Sequence, residues 1–214
     1  VWQSFLREDA FGLTSEFVGL ENYQSLFAQP EYYASMLTTV IFSSLVATLS
    51  LSIALLFATQ ADKNLKAAPA YKTFMIWPYA VAPAVAGVLW FFMFQPSLGM
   101  LSRPLRGLGI DWNPLLNGNH ALLLVVMASV WQQISYNFLF FLAGLQAIPK
   151  SLIEAASLDG AGGILRFRTV VFPLLMPTIT FLVVTSMINN LQVFSQVYVM
   201  THGGPGNATR VIAY

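Results

Sequence analysis

The residues of this 214-residue chain that could do chemistry are amides, hydroxyls and one acidic loop, all set among long apolar runs. Gln132, Gln133, Tyr136 and Asn137 form one polar cluster, with Ser129 just before it. Asn189, Asn190, Gln192 and Gln196 form a second, beside Ser186 and Ser195. Residues three, four and seven apart share a helix face. On that spacing Gln132 and Tyr136 make one stripe, Gln133 and Asn137 another, and Asn189, Gln192 and Gln196 a third. Amides and phenols can hydrogen-bond a polyol without the desolvation cost of a charge. Polar side chains inside apolar spans usually face a bundle interior or a water-filled cavity. For any one of these residues the alternative is an interhelical hydrogen bond, about 0.6 kcal/mol on average. The two clusters taken together favour the lining of a path.

The acidic loop lies in "IPKSLIEAASLDGAGGILRFRTVVFPLLMP", residues 148–177. Pro149 ends the apolar run before it. Ser151 stands three residues ahead of Glu154, the spacing of a capping box. Leu152, Ile153, Ala156 and Leu158 give a short helix a partly apolar face, which Gly160, Gly162 and Gly163 interrupt. Ile164, Leu165 and Phe167 begin a second short piece that runs into Pro173. The pattern predicts two short helices at an angle, exposing an Ala-rich face with a carboxylate on it. Such an element suits another protein's groove. The alternative is a connector that touches only lipid headgroups, but an interfacial helix usually carries more Lys and Arg.

No catalytic group emerges. There is no cysteine, and no His or carboxylate pair has catalytic or metal-ligand spacing. His120 and His202 fall near the ends of apolar runs. "GAGG" has no following lysine, and a GxxxxGK[ST] phosphate loop is absent, so any nucleotide must be bound by another chain.

These residues need apolar elements to position them, and the composition supplies little else. Hydrophobic residues make up 57% of the chain and charged residues 9%, against about 25% charged in a soluble domain. Mean hydropathy is +0.66. No charged residue occurs between Glu31 and Asp62, Lys72 and Arg103, Asp111 and Lys150, or Arg168 and Arg210. A crossing helix needs about 20 apolar residues, so the expected spans are 34–59, 71–95, 121–145 and 172–200. The second contains "PYAVAP", and proline in a span frees backbone groups that neighbouring helices must satisfy. The fold class is therefore all-α, a packed polytopic bundle. A net charge of +1 gives no bias towards nucleic acid.

Loop charges orient the bundle. Lys63, Lys66 and Lys72 follow the first span, and Lys150, Arg166 and Arg168 follow the third. Glu8, Asp9, Glu16, Glu21 and Glu31 precede the first span against Arg7 alone. Positive residues favour the cytoplasm, so the first span enters from outside and the acidic loop is cytoplasmic. Arg103 and Arg106, on the outer side, are a mild exception.

Glu154-Ala155-Ala156, then Gly160, then Val170, Phe172 and Pro173 resemble the "EAA---G---------I-LP" loop of ABC-importer permeases, with Val170 for Ile and Phe172 for Leu. "FVGLENY", "TTVIFSSL", "PYAVAPAVAGVLWFFMF", "WQQISYNFLFFLAGLQAIPKSLIEAA" and "THGGPGNAT" extend the likeness over nearly the whole chain. They resemble the sugar-type, maltose-like permeases, and among these the first permease subunit of sn-glycerol-3-phosphate importers. The resemblance implies one type I ABC-importer transmembrane domain over 1–214, with residues 148–168 as its cytoplasmic coupling-helix loop. It implies about six core helices, about four of them complete here and one beyond each end. It implies that Glu154, Ala155, Ala156, Asp159 and Gly160 face an ATPase subunit: the carboxylate of Glu154 for an Arg or Lys, the alanines for close approach, Gly160 for the bend. It places sugar contacts of maltose-type permeases around Asn190.

The implied chain is a transport subunit, not itself an enzyme, in a bacterial inner membrane. Its implied partners are a second permease, a cytoplasmic ATPase dimer, an extracytoplasmic solute-binding protein and membrane lipid, with no nucleic acid. No cofactor belongs to this chain; ATP and Mg belong to the ATPase. Two readings compete. A neutral mono- or oligosaccharide fits the polar residues as well as glycerol phosphate, because no Lys or Arg lies deep in a span. A channel or ion-coupled transporter would show an intramembrane acidic or histidine relay or inverted repeats with broken helices.

Overall fold

The computed structural model describes residues 2–9, 15–62 and 68–214, so Lys63 and Lys66 of the charge argument lie outside the described residues. A two-stranded antiparallel hairpin, β1 (Leu6–Glu8) and β2 (Ser15–Phe17), precedes α1 (Glu21–Phe27). Asn22 of α1 donates to the carbonyls of Ser4 and Leu6, and Arg7 pairs with Glu21 at 2.8 Å, which fixes this small polar cap. Everything else of regular form among the described residues is helical.

α2 (Pro30–Asp62) runs 33 residues, about 50 Å at the helical rise, and so overshoots the expected span at both ends. Its buried positions include Ser43, Val46, Ser50, Ala54, Ala58 and Ala61. That is a small-residue stripe at helical spacing, which lets two backbones approach closely where no hydrophobic gradient drives them together. Its partner is α6 (Gly118–Gln146), the most buried of the three long apolar helices. Asn117 caps α6, its side chain accepting from the N–H groups of Asn119 and His120. The last long helix is α8 (Gly163–Leu191). Gly144 of α6 faces it so closely that a Cβ there would lie 2.9 Å from Thr178 Oγ1.

The second expected span is not one helix. α3 (Ala68–Ile76) continues through a tight turn at Trp77–Ala80. The chain then extends at Val81 and Ala82 and restarts as α4 (Pro83–Phe94), bent by 101°. The cause is local. Pro83 drives Ala82 out of the helical region, to φ −59° and ψ 139°, and proline cannot donate to a continuing helix. The described residues thus hold three helices able to cross a membrane, or four spans if the bent pair counts as one.

The fourth expected span also divides differently. α8 begins at Gly163, so the second short surface helix expected from Ile164, Leu165 and Phe167 is the first stretch of the span itself. A π turn at Phe167–Val171 carries the helix past Pro173, a local adjustment of the kind proline demands. At its other end α8 stops at Leu191, and α9 (Ser195–Thr201) is a separate helix. Residues 202–214 fold back over the starts of α2 and α6. Ile212 N donates to Thr39 Oγ1 at 2.8 Å, Arg210 pairs with Glu31 at 3.2 Å, and Ala208 touches Gly118.

The ends sort as the charge pattern requires. α5 (Ser102–Gly107), α9 and the starts of α2 and α6 share one end with the N-terminal cap. α7 (Lys150–Leu158) and the start of α8 lie at the other. On the first end Arg106 donates to the Pro96 carbonyl, so this exception to the charge rule holds a loop in place.

Candidate functional site

The break between α3 and α4 opens a cavity of about 570 Å³, within the usual range of about 300–1,000 Å³ for small-molecule sites. Residues 79–83 form one wall, Gln132, Gln133 and Tyr136 of α6 a second, and Ser186 and Asn189 of α8 a third. Among the described residues the lining contains no charged side chain. Gln132 Nε2 donates to the Val81 carbonyl at 2.5 Å, so an amide of α6 holds the extended strand of the break. Tyr79 and Tyr136 face each other with ring centroids 6.0 Å apart. Ser186 is only 3% exposed, and its hydroxyl has no hydrogen-bond partner among the described residues.

Four of the eight expected path residues therefore share this cavity: Gln132, Gln133, Tyr136 and Asn189. The other four do not line it. Asn137 points to α2, where its Nδ2 donates to Ser50 Oγ at 3.1 Å. It stays four residues from Gln133 on one unbroken helix, but it bonds α2 while Gln133 reaches Asn190 and the cavity. Asn190 is 1% exposed and accepts from Gln133 Nε2 at 2.5 Å. Gln192 is exposed at the C-terminal cap of α8. Gln196 sits beyond the break, on α9, buried between Ser129 (2.5 Å) and Gln132 (2.8 Å). The stripe expected over Asn189, Gln192 and Gln196 is thus divided between two helices. These tertiary bonds, which helical spacing does not contain, fix α9 apart from α8. Sequence reasoning missed residues 79–83 as a wall. Its signal was present in the two prolines of "PYAVAP".

The acidic loop is built differently from expectation. α7 starts at Lys150 with Pro149 as its cap and no side-chain cap bond. The Ser151–Glu154 capping box does not form, because the fixed φ of Pro149 starts the helix one residue before Ser151. α7 ends in a Schellman turn. Ala161 N reaches the Ala156 carbonyl at 2.9 Å, Gly160 N reaches Ser157 at 3.1 Å, and Gly160 holds φ +77°. Arg166 donates to Ser157 Oγ and ties the start of α8 to α7. Glu154, Ala155, Asp159 and Gly160 are exposed and Ala156 is partly buried. Neither carboxylate makes an ion pair among the described residues. Leu158 is 89% exposed and Ile164 88%, so apolar surface flanks the acidic face.

Residues 32–214 match the family described as binding-protein-dependent transport system inner membrane component. The chain belongs to that family. Curated relatives agree over its full length. The sn-glycerol-3-phosphate transport system permease protein UgpA of Agrobacterium fabrum is 56% identical, and that of Rhizobium meliloti 53%; each match covers 100% of this chain and 73% of the relative. The Yersinia pseudotuberculosis protein of the same name is 50% identical over the same shares. Among solved structures, a bacterial alginate ABC transporter in complex with alginate pentasaccharide-bound periplasmic protein gives a TM-score of 0.80. It is 20% identical, covering 91% of this chain and 68% of that one, and supports the fold alone.

Membership fixes several expectations at once. The chain is a transport permease of a bacterial inner membrane, all-α and polytopic, and not itself an enzyme. It works with a solute-binding protein and the other subunits of an ABC importer.

Proposed function

We propose that this permease forms, with a second permease, the path for sn-glycerol-3-phosphate in an ATP-driven importer. ATP and Mg are bound by separate ATPase subunits, and the cargo arrives on an extracytoplasmic binding protein. The observation that carries the cargo is the identity of 50–56% over the whole chain to permeases named for it. The path runs through the cavity at the α3–α4 break, with Gln132, Gln133, Tyr136 and Asn189 hydrogen-bonding the polyol and Asn190 and Gln196 fixing the amides that do so. Residues 148–168 form the docking loop. Glu154 and Asp159 offer carboxylates to cations of the ATPase, Ala155 and Ala156 allow close approach, and the Gly160 turn sets the loop against α8.

A neutral sugar is the second reading, favoured by the uncharged lining of the cavity. Uptake by the complete reconstituted importer separates them. Glycerol 3-phosphate should accumulate in proteoliposomes in an ATP-dependent way, and neutral mono- and disaccharides should neither accumulate nor compete. Accumulation of a sugar with no response to glycerol 3-phosphate would overturn the cargo.

A further inference from the structure

An anionic cargo needs a positive site, and among the described residues the cavity is lined by no Lys or Arg. The break supplies one from backbone. α4 is a 12-residue helix that begins at the cavity wall, with Ala82 as cap and Pro83 as first residue, both lining the cavity. Ala86 N bonds to Ala82 O, but Ala84 N and Val85 N have no acceptor among the described residues, and no side chain caps them. A helix start carries about half a positive charge, and its free N–H groups are suited to phosphate oxygens. Inside a span, where water does not compete, half-helix starts serve anionic groups in this way.

A second feature points to a ligand independently. Ser186 of α8 is 97% buried, lines the same cavity, and gives its hydroxyl to no partner among the described residues. Its hydroxyl opens onto the cavity, where a ligand atom can bond it. Gln133 Oε1 is also buried without a partner. It can only accept, so it suits a hydroxyl of the cargo and not its phosphate.

Resting on the function proposed above, we propose that the cavity reads a phosphorylated polyol from its two ends. The phosphate sits at the start of α4, with the Ser186 hydroxyl donating to it from α8. The polyol hydroxyls sit on the amides of α6. The charge of the cargo is thus met by a broken helix and not by a basic side chain.

The test uses the complete importer in proteoliposomes, with glycerol 3-phosphate as cargo and glycerol and inorganic phosphate as competitors. Uptake is expressed per assembled complex. Ala82→Asp and Ala82→Asn are isosteric and both good caps for α4, so both keep the helix, and only one adds a charge at the phosphate. Ala82→Asp should transport at least ten-fold more slowly than Ala82→Asn. Asn189→Asp, a charge on the α8 wall instead of at the start of α4, should cost less than Ala82→Asp. Ser186→Ala should weaken half-maximal uptake of glycerol 3-phosphate three- to ten-fold and leave competition by glycerol unchanged. Inorganic phosphate should compete with the wild type and lose that ability in Ala82→Asp. Equal uptake by the two Ala82 variants would overturn the anion site. So would an equal loss in Asn189→Asp, which would make the charge effect general to the cavity. A wild-type importer that takes a neutral sugar and ignores glycerol 3-phosphate would instead sink the function on which the site rests.

Discussion

Replacing Asn190 by leucine tests whether the buried amides are structural or lie in the path. Asn190 is 1% exposed, accepts from Gln133 Nε2 at 2.5 Å, and reaches the Ser43 carbonyl only at 3.4 Å. The first contact carries nearly all its hydrogen-bond energy, since the second is at the edge of useful geometry. Leucine has similar volume, so the loss is polar. A net hydrogen bond is worth about 0.5–1.5 kcal/mol, and each single variant, Asn190→Leu or Gln133→Leu, should destabilise the permease by about that much. Both lose the same bond, so the double variant should cost less than the sum. The difference should be about 0.6 kcal/mol, and at most about 1.7, the range for polar contacts within membranes. Equilibrium unfolding of the purified subunit in mixed micelles gives the three energies. Uptake gives the second readout. Gln133→Leu should lower uptake per assembled complex several-fold, because Gln133 lines the cavity. Asn190→Leu should reduce the yield of complex and leave uptake per complex within about two-fold. Independent sites add within about 0.3–0.5 kcal/mol. Additive energies, or a larger uptake defect in Asn190→Leu than in Gln133→Leu, would refute this assignment.

Glu154→Lys and Gly160→Pro should assemble with the partner permease yet lose cargo-stimulated ATP hydrolysis, the second because proline cannot adopt the +77° φ of Gly160; normal stimulation in both would remove the docking role. Gly144→Val puts a side chain where Thr178 Oγ1 already stands 2.9 Å from a Cβ, so the unfolding free energy should fall by about 1–3 kcal/mol as overpacking does; an unchanged stability would mean that α6 and α8 pack less tightly than described. Single cysteines are clean probes in a chain without any: positions 150 and 154 should be protected from an impermeant thiol reagent applied outside whole cells and positions 21 and 111 labelled, and labelling at 150 would reverse the orientation.

Long-range features were legible where one residue type carries them alone. Four charge-free runs marked the spans because a charge at mid-helix costs about 2.5–3.5 kcal/mol on insertion, and no packing detail alters that. The prolines at 78 and 83 carried the signal of a break, but they were read as a packing demand within one span over 71–95, which the structure divides. Features fixed by contacts across the bundle were not legible. Asn137 and Gln133 are four apart and share a helical face on paper. A stripe on α6 is wide enough that one edge meets Ser50 of α2 while the other meets the cavity. Gln196 looked continuous with Asn189, yet its bonds to Ser129 and Gln132 draw α9 across α6 and end the preceding helix. The capping box failed on a rival local rule, as Pro149 starts α7 before Ser151 can cap it.

The hydrogen bonds divide these polar residues into two jobs that a path needs separately. Asn137 with Ser50, and Asn190 with Gln133, join elements across α2, α6 and α8 and cost free energy to separate. Asn189, Ser186, Tyr79 and Tyr136 have no hydrogen-bond partner among the described residues and line the cavity, so a ligand can use them without breaking anything. Gln132 belongs to both sets. Its Nε2 holds the Val81 carbonyl and its Oε1 accepts from Gln196, so one side chain joins the break in the second span to α9. Any motion that swings α4 relative to α6 must either carry Gln132 with the strand or release the Val81 carbonyl. Release leaves a buried acceptor and an amide donor unpaired unless water or cargo replaces the contact. A cargo hydroxyl at Gln132 can do so, because a hydroxyl both accepts from Nε2 and donates to the carbonyl. The cost of moving the broken helix is therefore lower with a polyol in the cavity than with the cavity dry.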